Sequence, residues 1–388
     1  MLALKFDFRD LFRAPRLAFA LQRLWIQVAG LFVGYAAYLL LTYLSYFISG
    51  FELAMTWKRY GLVICPFSSG ELLPWYGWVV YAAAVLLLVV SFLIANTAVS
   101  RATYMLAKGN HFYTWREAYR FSFRKMLSVI LTPISLLVLI GLLVLGGLVI
   151  GLLGRIPYLG PLGISFFTIF WFIAALFLLF FVIILFVSLL MAPSIIATTD
   201  EDAFEAIFQT FSLVWAQPWR LVLYQLLTIA LSLTGFFVFA AFVKQALMLM
   251  NSIFASFMGV DFINLMHNGL ATLQGWLIWG QSTLESAFGE YSHYIYFSNS
   301  FLTLPDLSLV VKISSFFYTF SLLFIGLWVL SYLFSTYTVG NTLAFMVLKN
   351  IKDEENLLER KDKEEVEEAE EEEELTEEEE ADSAERDQ

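Results

Sequence analysis

The residues best suited to chemistry in this sequence are a single glutamate–histidine pair. Glu290 and His293 have the i, i+3 spacing of di-iron carboxylate proteins, in which a helical bundle supplies two such motifs and further glutamates. Only one copy occurs here, so the pair is a weak metal candidate, and an exposed loop helix explains it more simply. HExxH, phosphate-binding-loop, G-x-S-x-G and CxxC motifs do not occur in the sequence. This pattern favours a non-enzymatic protein without a cofactor.

The second candidate site is a row of arginines. Arg116, Arg120 and Arg124 fall four residues apart, which places them on one face of a helix. Thr114 and Glu117 form the Thr-x-x-Glu pattern of a capping box, so the helix is expected to begin there. Apolar surface covers the rest of the helix: Trp115, Tyr119, Phe121 and Phe123. Such a helix is expected to lie in the membrane interface, with guanidinium groups among anionic headgroups.

Two other stretches repeat this pattern more loosely. Asp202 and Glu205 form Asp-x-x-Glu before an apolar stripe, and the stretch DLFRAPRLAFALQRLW begins at residue 10. Arg23 and Arg220 precede long apolar runs as Arg124 does, so we expect the same contact with lipid headgroups. The pattern indicates three repeats of one unit: interfacial helix, outward span, outer loop and return span. The positive-inside rule alone would also place arginines at these positions.

The amino-acid composition indicates that lipid, and not water, surrounds most of the chain. The 388 residues are 60% hydrophobic and include 39 Phe, 18 Tyr and 11 Trp, with a mean hydropathy of +0.74. Charged residues make up 15% and lie mainly between apolar runs. We therefore predict an all-α, polytopic membrane helix bundle. Its six transmembrane helices are expected at about 25–48, 75–99, 126–153, 164–191, 221–242 and 309–335, the last one extending to Met346 in a longer version.

The charges between the spans predict the orientation. Residues 1–24 form a basic interfacial segment, and residues 100–125 carry six basic residues against Glu117 alone. Both segments should lie in the cytoplasm under the positive-inside rule. The six-span membrane domain, 25–348, then has inside loops at 100–125 and 193–220 and leaves both termini in the cytoplasm. We expect a multi-pass protein of the bacterial inner membrane.

Within the spans, small residues are the clearest packing signal. Gly30-x-x-x-Gly34 would let another helix approach closely. Polar residues are rare: the clear apolar runs hold no Asp or Glu, and Asn96 and Gln225 stand as isolated polar groups. This composition argues against ion-coupled transport through buried carboxylates.

Two segments flank the last span. Residues 244–308 are too long for a turn and less apolar than a span, so we expect one or two amphipathic helices over the outer face, or re-entry into the membrane near Phe262–Trp279. Residues 349–388 contain 21 acidic and six basic residues and are expected to form a disordered acidic cytoplasmic tail. Solvation is the favoured role for this tail, and capture of a basic partner is the alternative.

Two inside segments carry a family resemblance. AVSRATYMLAKGNHFYTWREAYRFSFR, residues 98–124, and APSIIATTDEDAFEAIFQTFSLVWAQPWR, residues 192–220, each lead from one hairpin into the next. Hairpins alternating with such segments resemble the bacterial integral membrane proteins related to the membrane domain of glycerophosphoryl diester phosphodiesterase. The resemblance covers about the first 240 residues and implies a polytopic membrane protein. It implies no catalytic residues, because the phosphodiesterase domain is absent from this sequence.

Three functions are consistent with these features. The favoured one is a non-enzymatic accessory or scaffold subunit that organises lipid or a membrane protein complex. Its expected partners are anionic membrane lipids and a protein bound through the acidic tail or the outer segment, and not nucleic acid. The alternative is a transporter or channel for a lipid-like or small solute, with glycine-rich spans around a path. A third, less favoured function is an intramembrane enzyme that uses Glu290 and His293.

Overall fold

The computed structural model describes residues 4–69, 73–288 and 307–360, and within these ranges the chain forms helices joined by turns, without a strand. A short 3-10 helix, Phe8–Arg13, comes first. The α-helices are α1 Ala14–Ala18, α2 Leu21–Ile48, α3 Leu53–Tyr60, α4 Pro66–Ser69, α5 Trp75–Lys108, α6 Trp115–Arg124, α7 Met126–Leu153, α8 Leu159–Phe166, α9 Thr168–Thr199, α10 Ala203–Ala216, α11 Pro218–Met258, α12 Val260–Phe288 and α13 Leu309–Asp353. The predicted all-α class is confirmed.

Six of these helices are long and apolar enough to cross a membrane: α2, α5, α7, α9, α11 and α13. About 20 helical residues suffice to cross a hydrocarbon core about 30 Å thick. The protein is therefore a multi-pass integral membrane protein. The number of long apolar helices equals the number of spans that the sequence predicted.

Several helices extend past the ends that hydropathy predicted. Helix α5 continues beyond Val99 to Lys108, and α9 begins at Thr168 rather than Ile164 and continues beyond Met191 to Thr199. Helices α11 and α13 contain 41 and 45 residues, which corresponds to lengths of about 62 and 68 Å. Hydropathy marks where the apolar run ends, whereas the hydrogen-bonded helix continues past that point.

The chain divides into two compact units. Unit 1 comprises Met1–Arg23, Asn96–Leu231 and Ser335–Gln388, and unit 2 comprises Leu24–Ala95 and Ser232–Phe334. The division falls within four of the long helices, each of which contributes residues to both units.

In unit 2, tyrosines of α2 hold the turn that follows α3. Tyr35 donates to the carbonyl of Leu62 at 2.7 Å, and Tyr38 donates to the carbonyl of Ile64 at 2.6 Å. The backbone N–H of Leu62 in turn donates to the carbonyl of Trp276 in α12 at 2.8 Å. Phenol groups thus satisfy backbone carbonyls that a turn leaves without helical partners.

The predicted small-residue approach of α2 is confirmed in unit 2. Ser91 Oγ of α5 donates to the carbonyl of Gly30 at 2.9 Å. A Cβ atom on Gly34 would lie 2.8 Å from the Cβ of Ser91, closer than two such atoms can approach. The pair of glycines therefore permits close contact between α2 and α5.

Of the segment expected at 244–308, residues 244–288 are helical apart from a turn at Gly259. Helix α11 continues to Met258, and after Gly259, with φ 63°, the chain enters α12. Helix α12 packs on α13, where Thr319 Oγ1 donates to the carbonyl of Gly269 at 2.8 Å. This part of the segment therefore comprises the end of α11 and one long helix.

In unit 1, helices α7 and α9 form a hairpin. Each contains one buried proline, Pro133 in α7 and Pro193 in α9. Beyond these packed ends, most side chains of the hairpin are exposed, and a Cβ atom on Gly147 or Gly151 would meet no described atom within 4 Å. The apolar surface of the hairpin is thus available to lipid or to a membrane partner.

Candidate functional site

Helix α6 begins as the sequence predicted. The backbone N–H of Glu117 donates to Thr114 Oγ1 at 3.3 Å, and the carboxylate of Glu117 accepts from the backbone N–H of Thr114. Both halves of the capping box are present, so two amide groups near the helix start have partners. The box fixes the first residue of α6 and thereby the direction of each side chain that follows.

One face of α6 anchors the helix in unit 1. Ala118 and Phe121 are buried there, and the Arg101 guanidinium carbon lies 4.2 Å from the centroid of the Phe121 ring. Arg101 belongs to α5, is fully buried, and donates from Nη1 to the carbonyl of Ala197 in α9 at 3.1 Å. A buried cation thus links α5, α6 and α9 through a cation–π contact and a hydrogen bond. From the sequence, Arg101 was only one of the six basic residues of the inside loop at 100–125.

A second face of α6 exposes positive charge. Arg116, Arg120 and Arg124 are all exposed at successive turns, and we call them the arginine row. Among the described residues, no carboxylate lies within ion-pair distance of Arg116 or Arg120. Arg124 Nη2 lies 3.7 Å from Asp200 Oδ2. The row therefore presents at least two positive charges that the described structure does not neutralise.

Aromatic side chains lie beside the arginine row. Trp115, Tyr119 and Phe123 follow the same four-residue spacing one position earlier. The Tyr119 and Phe123 rings stack with centroids 6.0 Å apart, and the Arg116 guanidinium carbon lies 5.3 Å from the Trp115 ring. Arginine and amphipathic aromatic rings together are the composition that suits the boundary between water and lipid.

The end of α9 is fixed by a buried carboxylate. Asp200 is 1% exposed and has a left-handed backbone, with φ 54°. Lys125, between α6 and α7, donates from Nζ to the Asp200 carbonyl at 2.8 Å and lies 2.9 Å from Asp200 Oδ1. Two cations, Lys125 and Arg124, thus stabilise one buried charge. No local sequence pattern identified this contact.

Arg220 and Arg23, the other two residues predicted to contact lipid headgroups, differ in exposure. Arg220 is exposed in the first turn of α11. Arg23 is buried, at 4% exposure, and donates from Nε to the carbonyl of Leu17 at 2.7 Å. Because the Arg23 side chain is buried, we exclude it from the site.

The second predicted capping box is not formed. Asp202 occupies the N-cap of α10 but makes no side-chain capping hydrogen bond, and Glu205 accepts instead from Gln209 Nε2 at 2.6 Å. The predicted apolar stripe of α10 does face outward, since Phe204 and Trp215 are 81% and 71% exposed. Helices α6 and α10 are therefore alike in exposing aromatic side chains and unlike in charge.

Residues 354–360, which we call the strap, fold back onto unit 1 after α13 ends. Leu357 is buried, and its carbonyl accepts from the Tyr104 hydroxyl at 2.8 Å. Arg360 pairs with Glu201, in the turn between α9 and α10. Burial disfavours the charged guanidinium of Arg360, but the Glu201 carboxylate outweighs that effect and raises the pKa of Arg360.

Contacts of Lys349 fix the end of α13, from which the strap continues. Lys349 in α13 is buried, lies 2.6 Å from Asp353 Oδ2 and donates to Gln209 Oε1 of α10 at 3.1 Å. The disordered acidic tail predicted from the sequence begins at this lysine. Residues 349–360 are instead helical and then packed, because buried contacts at Lys349 and Leu357 stabilise them.

Polar side chains from four long helices meet inside unit 1. We call them the polar junction: Asn96 and Ser100 of α5, Ser194 of α9, Gln225 of α11, and Tyr337, Thr338, Asn341 and Thr342 of α13. Thr338 Oγ1 donates to Asn96 Oδ1 at 3.1 Å, and Gln225 Nε2 donates to Asn341 Oδ1 at 3.0 Å. The sequence suggested that Asn96 and Gln225 are isolated polar groups. Both instead form hydrogen bonds with residues of α13.

Other bonds of the polar junction satisfy hydroxyl and backbone groups. Ser194 shares hydrogen bonds with Ser100 at 3.2 Å and with Thr342 at 3.3 Å. Asn341 Nδ2 donates to the carbonyl of Leu190 at 3.2 Å, in the turn that precedes Pro193. A proline in a helix leaves carbonyls in the preceding turn short of donors, and a neighbouring side chain can replace them. The polar junction therefore acts as packing between helices.

Glu290 and His293 lie outside the described residues, as does the acidic segment after Arg360. Within the described ranges, no group of three or more His, Cys, Asp or Glu side chains is arranged to hold a metal ion. The arginine row is therefore the candidate site with a described geometry.

The resemblance to the membrane domain of glycerophosphoryl diester phosphodiesterase rests on residues 98–124 and 192–220, and it stays a prediction. The structure adds that these residues span the ends of α5 and α9, together with α6, α10 and the first residues of α11. No protein-family model, curated protein or solved structure matches this chain.

Proposed function

We propose that this protein is a non-enzymatic accessory or scaffold protein of a bacterial inner membrane that organises anionic lipid at the cytoplasmic face. The observation that carries the proposal is the arginine row of α6, which is exposed beside aromatic rings. Within the described part of the chain, Arg116 and Arg120 have no carboxylate partner. In a membrane interface these guanidinium groups would contact lipid phosphates, and Trp115 and Phe123 would rest on the acyl boundary.

We favour a scaffold over a transporter or channel on two grounds. A path through the protein would need polar groups that a solute can reach, whereas the side chains of the polar junction bond one another and the backbone. Glycines around a path should pack against neighbours, but a Cβ atom on Gly147 or Gly151 would meet no described atom within 4 Å. The exposed hairpin of α7 and α9 instead offers a surface for lipid or for a partner helix.

Lipid retention tests this proposal. The full-length protein, exchanged into an uncharged detergent, would be offered mixed phosphatidylglycerol and phosphatidylcholine, and bound lipid would be counted by native mass spectrometry. Each basic residue near an anionic surface contributes about 1 kcal/mol, so Arg116→Gln with Arg120→Gln should weaken phosphatidylglycerol retention about tenfold or more. The control, Lys58→Gln with Arg155→Gln, removes two exposed charges elsewhere. Equal losses in both variants would refute a lipid site on α6.

Cysteine labelling tests the orientation. In a Cys65→Ser background, Phe112→Cys places a thiol at a position that is 93% exposed just before α6, and Arg155→Cys places one in the turn after α7. If α6 lies in the cytoplasm, an impermeant reagent should label residue 155 in intact cells and residue 112 only after the membrane is opened. The opposite pattern would reverse the proposed orientation.

A further inference from the structure

The spacing of the arginine row matches that of charges along an extended polyanion. Its three guanidinium groups are spaced about 6 Å apart along α6, since four helical residues rise about 6 Å. An extended chain rises about 6.6 Å every two residues, so alternate carboxylates of a glutamate run match this spacing. Arg116 and Arg120 have no described carboxylate partner and remain available to such a chain.

The strap ends near one end of the arginine row. Arg360 pairs with Glu201, and the preceding residue, Asp200, lies 3.7 Å from Arg124 at the end of the row. Arg360, the last described residue, therefore pairs with the immediate neighbour of Asp200, and Asp200 itself contacts the row. Glu364 follows four residues after Arg360, within about 14 Å of contour length.

Charge complementarity selects the occupant. Residues 361–388 contain 17 acidic and three basic residues, and 13 of the acidic residues are glutamates between Glu364 and Glu380. A segment joined to its binding surface by a short flexible linker has an effective concentration in the millimolar range. An exposed contact between such charges is sensitive to salt, because the Debye length falls from about 10 Å at 0.1 M to about 3 Å at 1 M.

We propose that the acidic segment Glu364–Glu380 binds the arginine row of the same molecule and competes there with anionic lipid headgroups. This inference rests on the proposed role of the row as an anion-binding surface. The row then alternates between two occupants, the segment and the membrane. Anionic lipid content and ionic strength set the balance between them.

Carbodiimide cross-linking tests the contact in the full-length protein. Arg120→Lys keeps the charge and supplies an amine that forms an amide with an activated glutamate, with net loss of water. In an uncharged detergent at low salt, mass spectrometry should find links from residue 120 to Glu364–Glu380 within single chains. The control is Arg155→Lys, because α7, about 42 Å long, separates residue 155 from α6. Raising the salt to 0.5 M should reduce the links from residue 120 about fivefold.

The outcomes separate this inference from the proposed function. No link from residue 120, equal links from residues 120 and 155, or links only between two chains would overturn the intramolecular contact. Truncation after Arg360 should raise phosphatidylglycerol retention about 3- to 10-fold, and should change nothing when Arg116→Gln and Arg120→Gln are also present. Links without lipid retention at the row would defeat the proposed function and the competition while leaving the contact. Retention that truncation does not raise would defeat the competition alone.

Discussion

The hydroxyl of Tyr104 lies 2.8 Å from the backbone carbonyl of Leu357, a residue 253 positions later in the chain. Both groups are buried, so the bond holds the strap against α5. Without it, the carbonyl would lack a donor in a place that water reaches poorly.

Removal of this hydroxyl should loosen the strap. Tyr104→Phe should cost about 1–2 kcal/mol of stability, because it leaves a buried carbonyl unsatisfied. Hydrogen exchange should accelerate at the backbone amides of residues 354–360 before it changes in α9. Tyr158→Phe is the matched control, since Tyr158 is 88% exposed. Unchanged exchange in the strap would show that the Tyr104 bond does not hold it.

The polar junction predicts energetic coupling between Gln225 and Asn341. Their hydrogen bond joins α11 to α13. Hydrogen bonds between membrane helices contribute about 0.6 kcal/mol on average and up to about 1.7 kcal/mol. A double-mutant cycle with Gln225→Leu and Asn341→Leu, measured by unfolding in mixed micelles, should give a coupling energy in this range. Strictly additive losses would mean that the two amides do not interact in the membrane.

Substitution by alanine should have different effects on stability at two glycines. Gly34→Ala adds a Cβ 2.8 Å from the Cβ of Ser91, so α2 and α5 must separate, at a cost of about 1–3 kcal/mol. Gly141→Ala adds a Cβ that meets no described atom within 4 Å. There the gain in helix propensity, up to about 1 kcal/mol, should leave stability unchanged or raised. Thermal unfolding of both variants decides the point, and similar losses in both would contradict it.

The buried carboxylate of Asp200 predicts a rescue experiment. Lys125→Met removes the cation nearest to Asp200 and should cost about 2 kcal/mol or more, because a charge at 1% exposure loses its main partner. Adding Asp200→Asn should restore part of this loss, since asparagine is neutral and tolerates the left-handed backbone. Chemical denaturation measures both changes. A double variant as unstable as Lys125→Met alone would exclude charge burial as the cause.

The sequence by itself determined the features that depend on neighbouring residues. Six apolar runs indicated the six long helices, since hydropathy sums over one continuous stretch of chain. Thr114 and Glu117 located the start of α6, because a capping box involves residues only three positions apart. The spacing of Gly30 and Gly34 indicated a close helix contact for the same reason, although it did not identify Ser91 as the neighbour.

Only the tertiary structure decided the contacts between distant residues. The partner of Asn96 is Thr338, 242 positions away, and no local pattern announces such a pair. Arg23 and Arg124 have the same place in the sequence pattern, yet Arg23 is buried and Arg124 is exposed. Sequence periodicity places a side chain on a face of its helix. Whether that face is covered depends on which helices pack there, which is settled by the fold as a whole.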